Sequence, residues 1–207
     1  MALIHGPSLL DARVVPMGAS RDDAIFPAIV DVLASQAITP RDLGAIVCGA
    51  GPGSFTSLRI AAAVAKGMAH AAGTPLFAVS SLLLAAAAHQ EAGRYLVHAD
   101  ALRGERYSLP VRIERGGGVA AEGAMTRVAL GDLARVADGR LLLCVPGADG
   151  RADGEAVAAD ASHLTRVIAW DAPGPVSLQE WEPSYGRLAE AQVKWEAAHQ
   201  QSLSLTE

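Results

Sequence analysis

The chain has 207 residues, enough for one large domain or two small ones. It is 51% hydrophobic but only 4% aromatic, so it can bury a substantial core that is aliphatic and alanine-rich. A net charge of -5 argues against sequence-independent nucleic-acid binding by the chain alone, which needs clustered Lys and Arg, although a basic partner could bring RNA to it.

Met1 to Ile4 and Leu9 to Val15 read as two short strands around the turn His5-Gly6-Pro7. Ser20 is the expected N-cap of a first helix, in which Ile25, Ile29, Val32 and Leu33 share one face. Pro27 means that this helix starts nearby or kinks there. Thr39-Pro40-Arg41-Asp42 is a turn into the strand Ala45–Cys48. After Gly51-Pro-Gly, residues Thr56 to Ala72 form the clearest helix, ended by Gly73 and Pro75. Leu76–Val79 is a buried strand, Ser80 or Ser81 caps another alanine-rich helix, and Tyr95–His98 is the next strand. Alternating strand and helix indicates a layered α/β domain.

The character changes after Asp100. Strands are expected at Tyr107–Ile113, near Val119, at Thr126–Leu130 and at Leu141–Val145, with a Gly116-Gly117-Gly118 hinge and an exposed loop from Gly147 to Gly154. This places a larger lobe at residues 1–103 and a less regular one at 104–207. Leu188, Ala191 and Trp195 then mark a terminal amphipathic helix, with Glu190 and Lys194 paired at i,i+4, before a frayed end.

Cys48 and Cys144 lie in apolar runs and read as buried, reduced thiols. The N-terminus has neither the basic nor the apolar region of a leader, and the longest apolar run, Leu82 to Ala88, is too short to span a bilayer. A soluble, cytoplasmic protein is expected. The six histidines are scattered without metal-ligand spacing.

Gly51 to Ile60, Gly-Pro-Gly-Ser-Phe-Thr-Ser-Leu-Arg-Ile, carries the most information. Its glycines permit positive φ or a close backbone approach, and Ser54 or Thr56 can cap the helix behind. Gly51, Gly53, Ser54, Phe55 and Thr56 therefore read either as an anion site at a helix N-terminus or as a tight strand-to-helix turn, the commoner use of such spacing. The spacing matches neither a P-loop nor a dinucleotide fingerprint. Asp100 ends a strand, where open α/β sheets place functional carboxylates, and Arg103, Glu105 and Arg106 follow it, although a solvated turn with local ion pairs is the commoner origin of such a cluster. The helix of Thr56 to Ala72 offers Ala61, Ala62, Ala63, Ala65, Gly67, Ala69, Ala71 and Ala72, small enough for close approach of another helix.

The run Gly51 to Ile60, with Ala65-Lys66-Gly67, Pro75-Leu76 and Val79-Ser80-Ser81-Leu82, closely resembles the bacterial TsaB (YeaZ) family. Asp100-Ala-Leu-Arg-Gly-Glu-Arg-Tyr107 is similar to that family's Asp-Ala-Arg-x-x-Glu-Val-Tyr element, so that Asp100, Arg103, Glu105 and Tyr107 are its motif positions. The resemblance implies an α/β, two-lobed, actin-like and sugar-kinase-like (ASKHA) fold. It implies a non-catalytic subunit that dimerises with a TsaD transferase, joined by a TsaE ATPase, in threonylcarbamoyl modification of adenosine 37 of tRNA. No cofactor is then held tightly by this chain, ATP and metal belong to the partners, and tRNA is met only through the complex. The family interface uses the first two helices, here about 21–36 and 56–72. Ile25, Ile29, Leu58, Ala62, Ala65 and Ala69 are the expected interface residues, with a homodimer as the alternative pairing in isolation.

Three departures accompany the resemblance. The family's opening strand, ending in Asp-Thr-Ser, has no counterpart, since Met1 to Ile4 matches the second strand, and without it two sheet edges lack their partner. Arg21-Asp22 stands where many members have His-Ser, and Ser57 where they have Gly. The competing readings are an ATP-dependent small-molecule kinase of the same fold, for which Asp100 is the candidate catalytic acid, and a peptidase, for which no nucleophile–base set is visible.

Overall fold

The computed structural model describes residues 1–15, 24–147, 150, 152–167 and 174–185. Ser20, Arg21-Asp22 and the expected helix after Gly186 lie outside the described residues.

The N-terminal hairpin pairs β1 (Ala2–His5) with β2 (Ser8–Ala12) around Gly6, whose φ of 55° suits a side-chain-free residue. Leu3 of β1 is buried with Val32 and Leu33 of α1 (Ile25–Ala34). Pro27 falls in the first turn of α1, where its missing N–H breaks no helical bond, so the helix starts there rather than kinking. Thr39 and Asp42 then close a single tight turn. The Asp42 carboxylate accepts the Thr39 backbone N–H and hydroxyl, both at 2.8 Å, which holds its pKa below the usual value.

A strand–helix–strand unit is built next from β3 (Ile46–Gly49), α2 (Phe55–Ala72) and β4 (Leu76–Val79), with β3 and β4 parallel and paired from Ile46↔Leu76 to Gly49↔Val79. Gly73, at φ 68°, ends α2 as its sequence position predicts. Among the described residues β1 pairs only with β2, and β3 only with β4. Each pair keeps an open edge, and Leu43 packs against the clusters of both.

The largest sheet has the order β10-β9-β5-β6-β7, with β8 also on β6. Its strands are β5 (Gly93–Asp100), β6 (Glu105–Ile113), β7 (Val119–Ala121), β8 (Thr126–Ala129), β9 (Leu141–Val145) and β10 (Glu155–Ala156). Side chains alternate across it. Tyr95, Val97, Leu109, Val111 and Leu143 face α3 (Ser81–Ala86), whereas Leu96 faces Leu133 and Ala137 of α4 (Leu133–Ala137). Ser80 is the serine that caps α3, accepting the Leu82 N–H at 3.2 Å. The expected division after residue 103 falls in the turn between β5 and β6. These two strands pair continuously from Gly93↔Ile113 to Asp100↔Arg106, and α3 packs on both. Arg166 ties the sheet's flank together, donating from Nε to the Gly117 carbonyl at 2.7 Å and from Nη1 to that of Ala87.

Candidate functional site

Gly51 sits between the end of β3 and the start of α2 with φ 94° and a cis bond to Pro52. The Ala50 N–H donates to Val79 O at 2.6 Å, and the Ser81 N–H to Gly51 O at 2.8 Å, so the turn is stitched to the strand-to-helix turn beside it. A Cβ at Gly51 would lie 2.3 Å from the carbonyl oxygen of Ser184. Glycine is required there by both φ and space. Gly53 is different: a Cβ there would meet Leu58 at 3.7 Å, an ordinary contact. Ser54 occupies the N-cap position of α2, yet its hydroxyl makes no capping bond, and Thr56 lies inside the first turn. Ser54, Phe55 and Thr56 are exposed.

The close approach that Gly51 permits is made by the chain itself. Residues 174–185 form a strap along α2 and β4. Val176 donates its N–H to Leu76 O at 2.7 Å, and Ser184 donates to Ala50 O at 2.7 Å. Val176, Leu178 and Trp181 pack on Ile46, Ala65, Ala69 and Leu76, with the Lys66 ammonium 5.7 Å from the Trp181 ring centroid. The Tyr185 ring then lies 4.6 Å from that of Phe55 and tilted by 46°, while Arg59 covers Phe55 at 5.2 Å. The spaced apolar residues Val176, Leu178 and Trp181 were the available signal for a packed segment.

Tyr185 also joins the turn to the second motif. Tyr107 is buried and donates its hydroxyl to Tyr185 O at 3.4 Å. Asp100 accepts the Leu102 N–H and an Arg106 guanidinium N–H on Oδ1, both at 2.9 Å. Leu102, Arg103 and Gly104 all have positive φ, and the Asp100 carboxylate holds this unusual turn. Glu105 pairs with Arg127 of β8 at 3.2 Å. Each of these contacts shapes the β5–β6 hairpin or anchors the strap, and the Asp100 carboxylate is already engaged by two donors.

The helix faces divide in a way that periodicity could not show. Leu58, Ala62, Ala65 and Ala69 are buried, the last two against Ile46, Cys48 and Leu76. These four expected interface residues therefore lie on the inner face of α2, because that helix must cover β3 and β4. Ile25 and Ile29 are half-buried, with Ile29 packed on the Leu3 cluster. The surface left open lies beside them. Phe26 and Val30 are 59% and 62% exposed. Phe26, Pro40, Arg41, Ala63, Val64, Gly67, Met68 and Ala71 line a groove of about 770 Å³ between α1 and α2. Phe26 and Val30 thus leave apolar surface exposed beside this groove.

Cys48 and Cys144 are both buried and form no disulfide with each other, and burial pushes the Cys48 pKa up to about 11. Among the described residues no cluster of three or more His, Cys, Asp or Glu could hold a metal ion, and no helix is long and apolar enough to cross a membrane.

Residues 12–129 match the family model described as "TsaD: tRNA N6-adenosine threonylcarbamoyltransferase". An uncharacterized protein of Mycobacterium tuberculosis is 39% identical over 103 residues, 50% of this chain and 48% of that protein. The tRNA threonylcarbamoyladenosine biosynthesis protein TsaB of Escherichia coli is 38% identical over 86 residues, 40% of this chain and 37% of that protein. The chain spans about half the length of the curated relatives it matches. The solved structure of YeaZ from Pseudomonas aeruginosa superposes with a TM-score of 0.71 at 25% identity, covering 88% of this chain and 91% of that one.

Proposed function

The chain belongs to the tRNA N6-adenosine threonylcarbamoyltransferase (TsaD) family, in its TsaB (YeaZ) branch with an actin-like ASKHA fold, and on that premise we propose that it is a non-catalytic subunit of the complex that makes threonylcarbamoyladenosine in tRNA. Its role in this reading is mechanical: it binds a TsaD-type transferase subunit and holds it in a stable, productive form. ATP and metal reside on the TsaD-like and TsaE-like partners, and tRNA is met through the assembled complex. In isolation the same surface serves a second copy of the chain.

The observation that carries the reading is the open groove between α1 and α2, with Phe26 and Val30 exposed at its side. The strap over Gly51 supports it from the other direction, because the turn that a nucleotide phosphate would need lies against Ser184. The partner surface is accordingly assigned to Phe26, Val30, Ala63, Val64, Gly67 and Met68, next to the buried face of α2.

Val30→Arg and Ala63→Arg place a charge on this surface without entering the core, since both positions are exposed. Each should abolish co-elution with the TsaD-type subunit of the same organism while the isolated chain keeps its circular-dichroism spectrum and melting temperature. Unchanged co-elution of both variants refutes the interface.

A further inference from the structure

Beyond the partner surface, we propose that His98 is an acid-sensitive fastening for β10, releasing the sheet's last strand when the imidazole takes a second proton. The strand has only two residues, Glu155 and Ala156, and pairs with Leu143 and Cys144 of β9. Its entry is fixed at Asp153, whose carbonyl oxygen lies 2.8 Å from His98 Nε2. A carbonyl only accepts, so Nε2 carries the proton and Nδ1 is the bare nitrogen. His98 is fully buried, and its Nδ1 has no hydrogen-bond partner among the described residues. A proton added there would be an unsatisfied buried donor on a newly charged ring.

The surroundings favour the neutral ring. Arg106 on β6 contributes positive charge, fixed by Asp100 at 2.9 Å and by the Asp153 carboxylate at 3.2 Å. Ser108 on β6 and Cys144 on β9 flank His98 in register. Ser108 is engaged with Thr126 of β8, at 3.1 Å between their hydroxyl oxygens. α4 meets this face through Leu133 and Ala137, which pack on Leu96. Burial, the largest effect, pushes the His98 pKa down; the hydrogen bond with the Asp153 carbonyl opposes it, Arg106 adds a further lowering, and the Asp153 charge pulls slightly upward. A depressed histidine pKa means that the closed form binds fewer protons than the open one. The fastening is therefore intact above the ordinary histidine range and weakens as pH falls through it. A second contact on β10 itself places His89 Nδ1 2.8 Å from the Glu155 carboxylate, so the His98 variant is what separates the two attachments.

The amide of Val157, which donates to Cys144 O at 2.8 Å, reads the attachment. With the open form titrating at about 6.5 and the closed form binding the proton less readily, opening becomes more frequent by up to about tenfold between about pH 7.5 and about pH 5.5. Hydrogen exchange by NMR on the full chain, corrected for intrinsic rates, should show Val157 losing up to about tenfold protection relative to amides of the β5–β6 ladder. His98→Gln keeps an uncharged N–H donor at this position and should remove that pH dependence. Constant Val157 protection in the wild type, or an equal loss in the Gln variant, overturns the proposal. Should His98→Gln fail to fold, the wild-type imidazole titration decides: His98 protonating at the ordinary value with Val157 still protected overturns it.

Discussion

Replacing Gly67 with alanine should move two measurements in opposite directions. Gly67 lies inside α2, where glycine costs roughly 0.5–1 kcal/mol relative to alanine. A Cβ there would meet nothing within 4 Å among the described residues, so their packing gives no reason for the missing side chain. The proposed partner surface does give one, because Gly67 lines the groove between α1 and α2 and lets a second helix come close. Gly67→Ala should therefore stabilise the isolated chain by roughly 0.5–1 kcal/mol, which for about 200 residues raises Tm by roughly 1–4 °C. The same methyl group should weaken binding of the TsaD-type subunit by roughly 1–3 kcal/mol, the cost of overpacking a close contact. Calorimetric melting of the lone chain and titration calorimetry of the pair supply the two numbers. A lowered Tm would refute the open surroundings of Gly67, and a raised Tm with unchanged affinity would refute a close helix crossing there.

Gly51→Ala should be severely destabilising, by at least about 2 kcal/mol, because it combines a φ of 94° with a 2.3 Å approach to Ser184 O. Urea unfolding checks this, and a wild-type midpoint would mean that the strap does not lie over the turn. Cys48, with its pKa pushed up to about 11 by burial, should resist iodoacetamide at pH about 8 as long as the chain is folded. Labelling followed by mass spectrometry should show modification of Cys48 only on adding denaturant, and fast labelling of the native chain would contradict its burial.

Much of the site was legible because local chemistry governs it. The glycine at residue 73, the proline in the first turn of α1 and the strand–turn–helix order around Gly51 depend on φ, missing N–H groups and chain direction, which are properties of a few neighbouring residues. The Asp100–Tyr107 run was recognisable as a unit for the same reason. Its role was not. Tyr107 bonds to a carbonyl far along the chain and Glu105 to an arginine on β8, and neither contact leaves a mark in the spacing. Which face of α2 packs inward was also hidden: small residues lie both on its buried side, as Ala62, Ala65 and Ala69, and on its exposed side, as Ala63 and Gly67, so residue size did not separate the two.

The sequence alone determined the alternation of strands and helices, the aliphatic core and the family likeness of residues 51–60, since these follow from patterns read within one segment. Tertiary structure decided which face of α2 is inward, why Gly51 must be glycine and what covers it. Those answers depend on Ile46, Leu76 and Ser184 arriving from elsewhere in the chain, and such meetings are set by packing rather than by local preference.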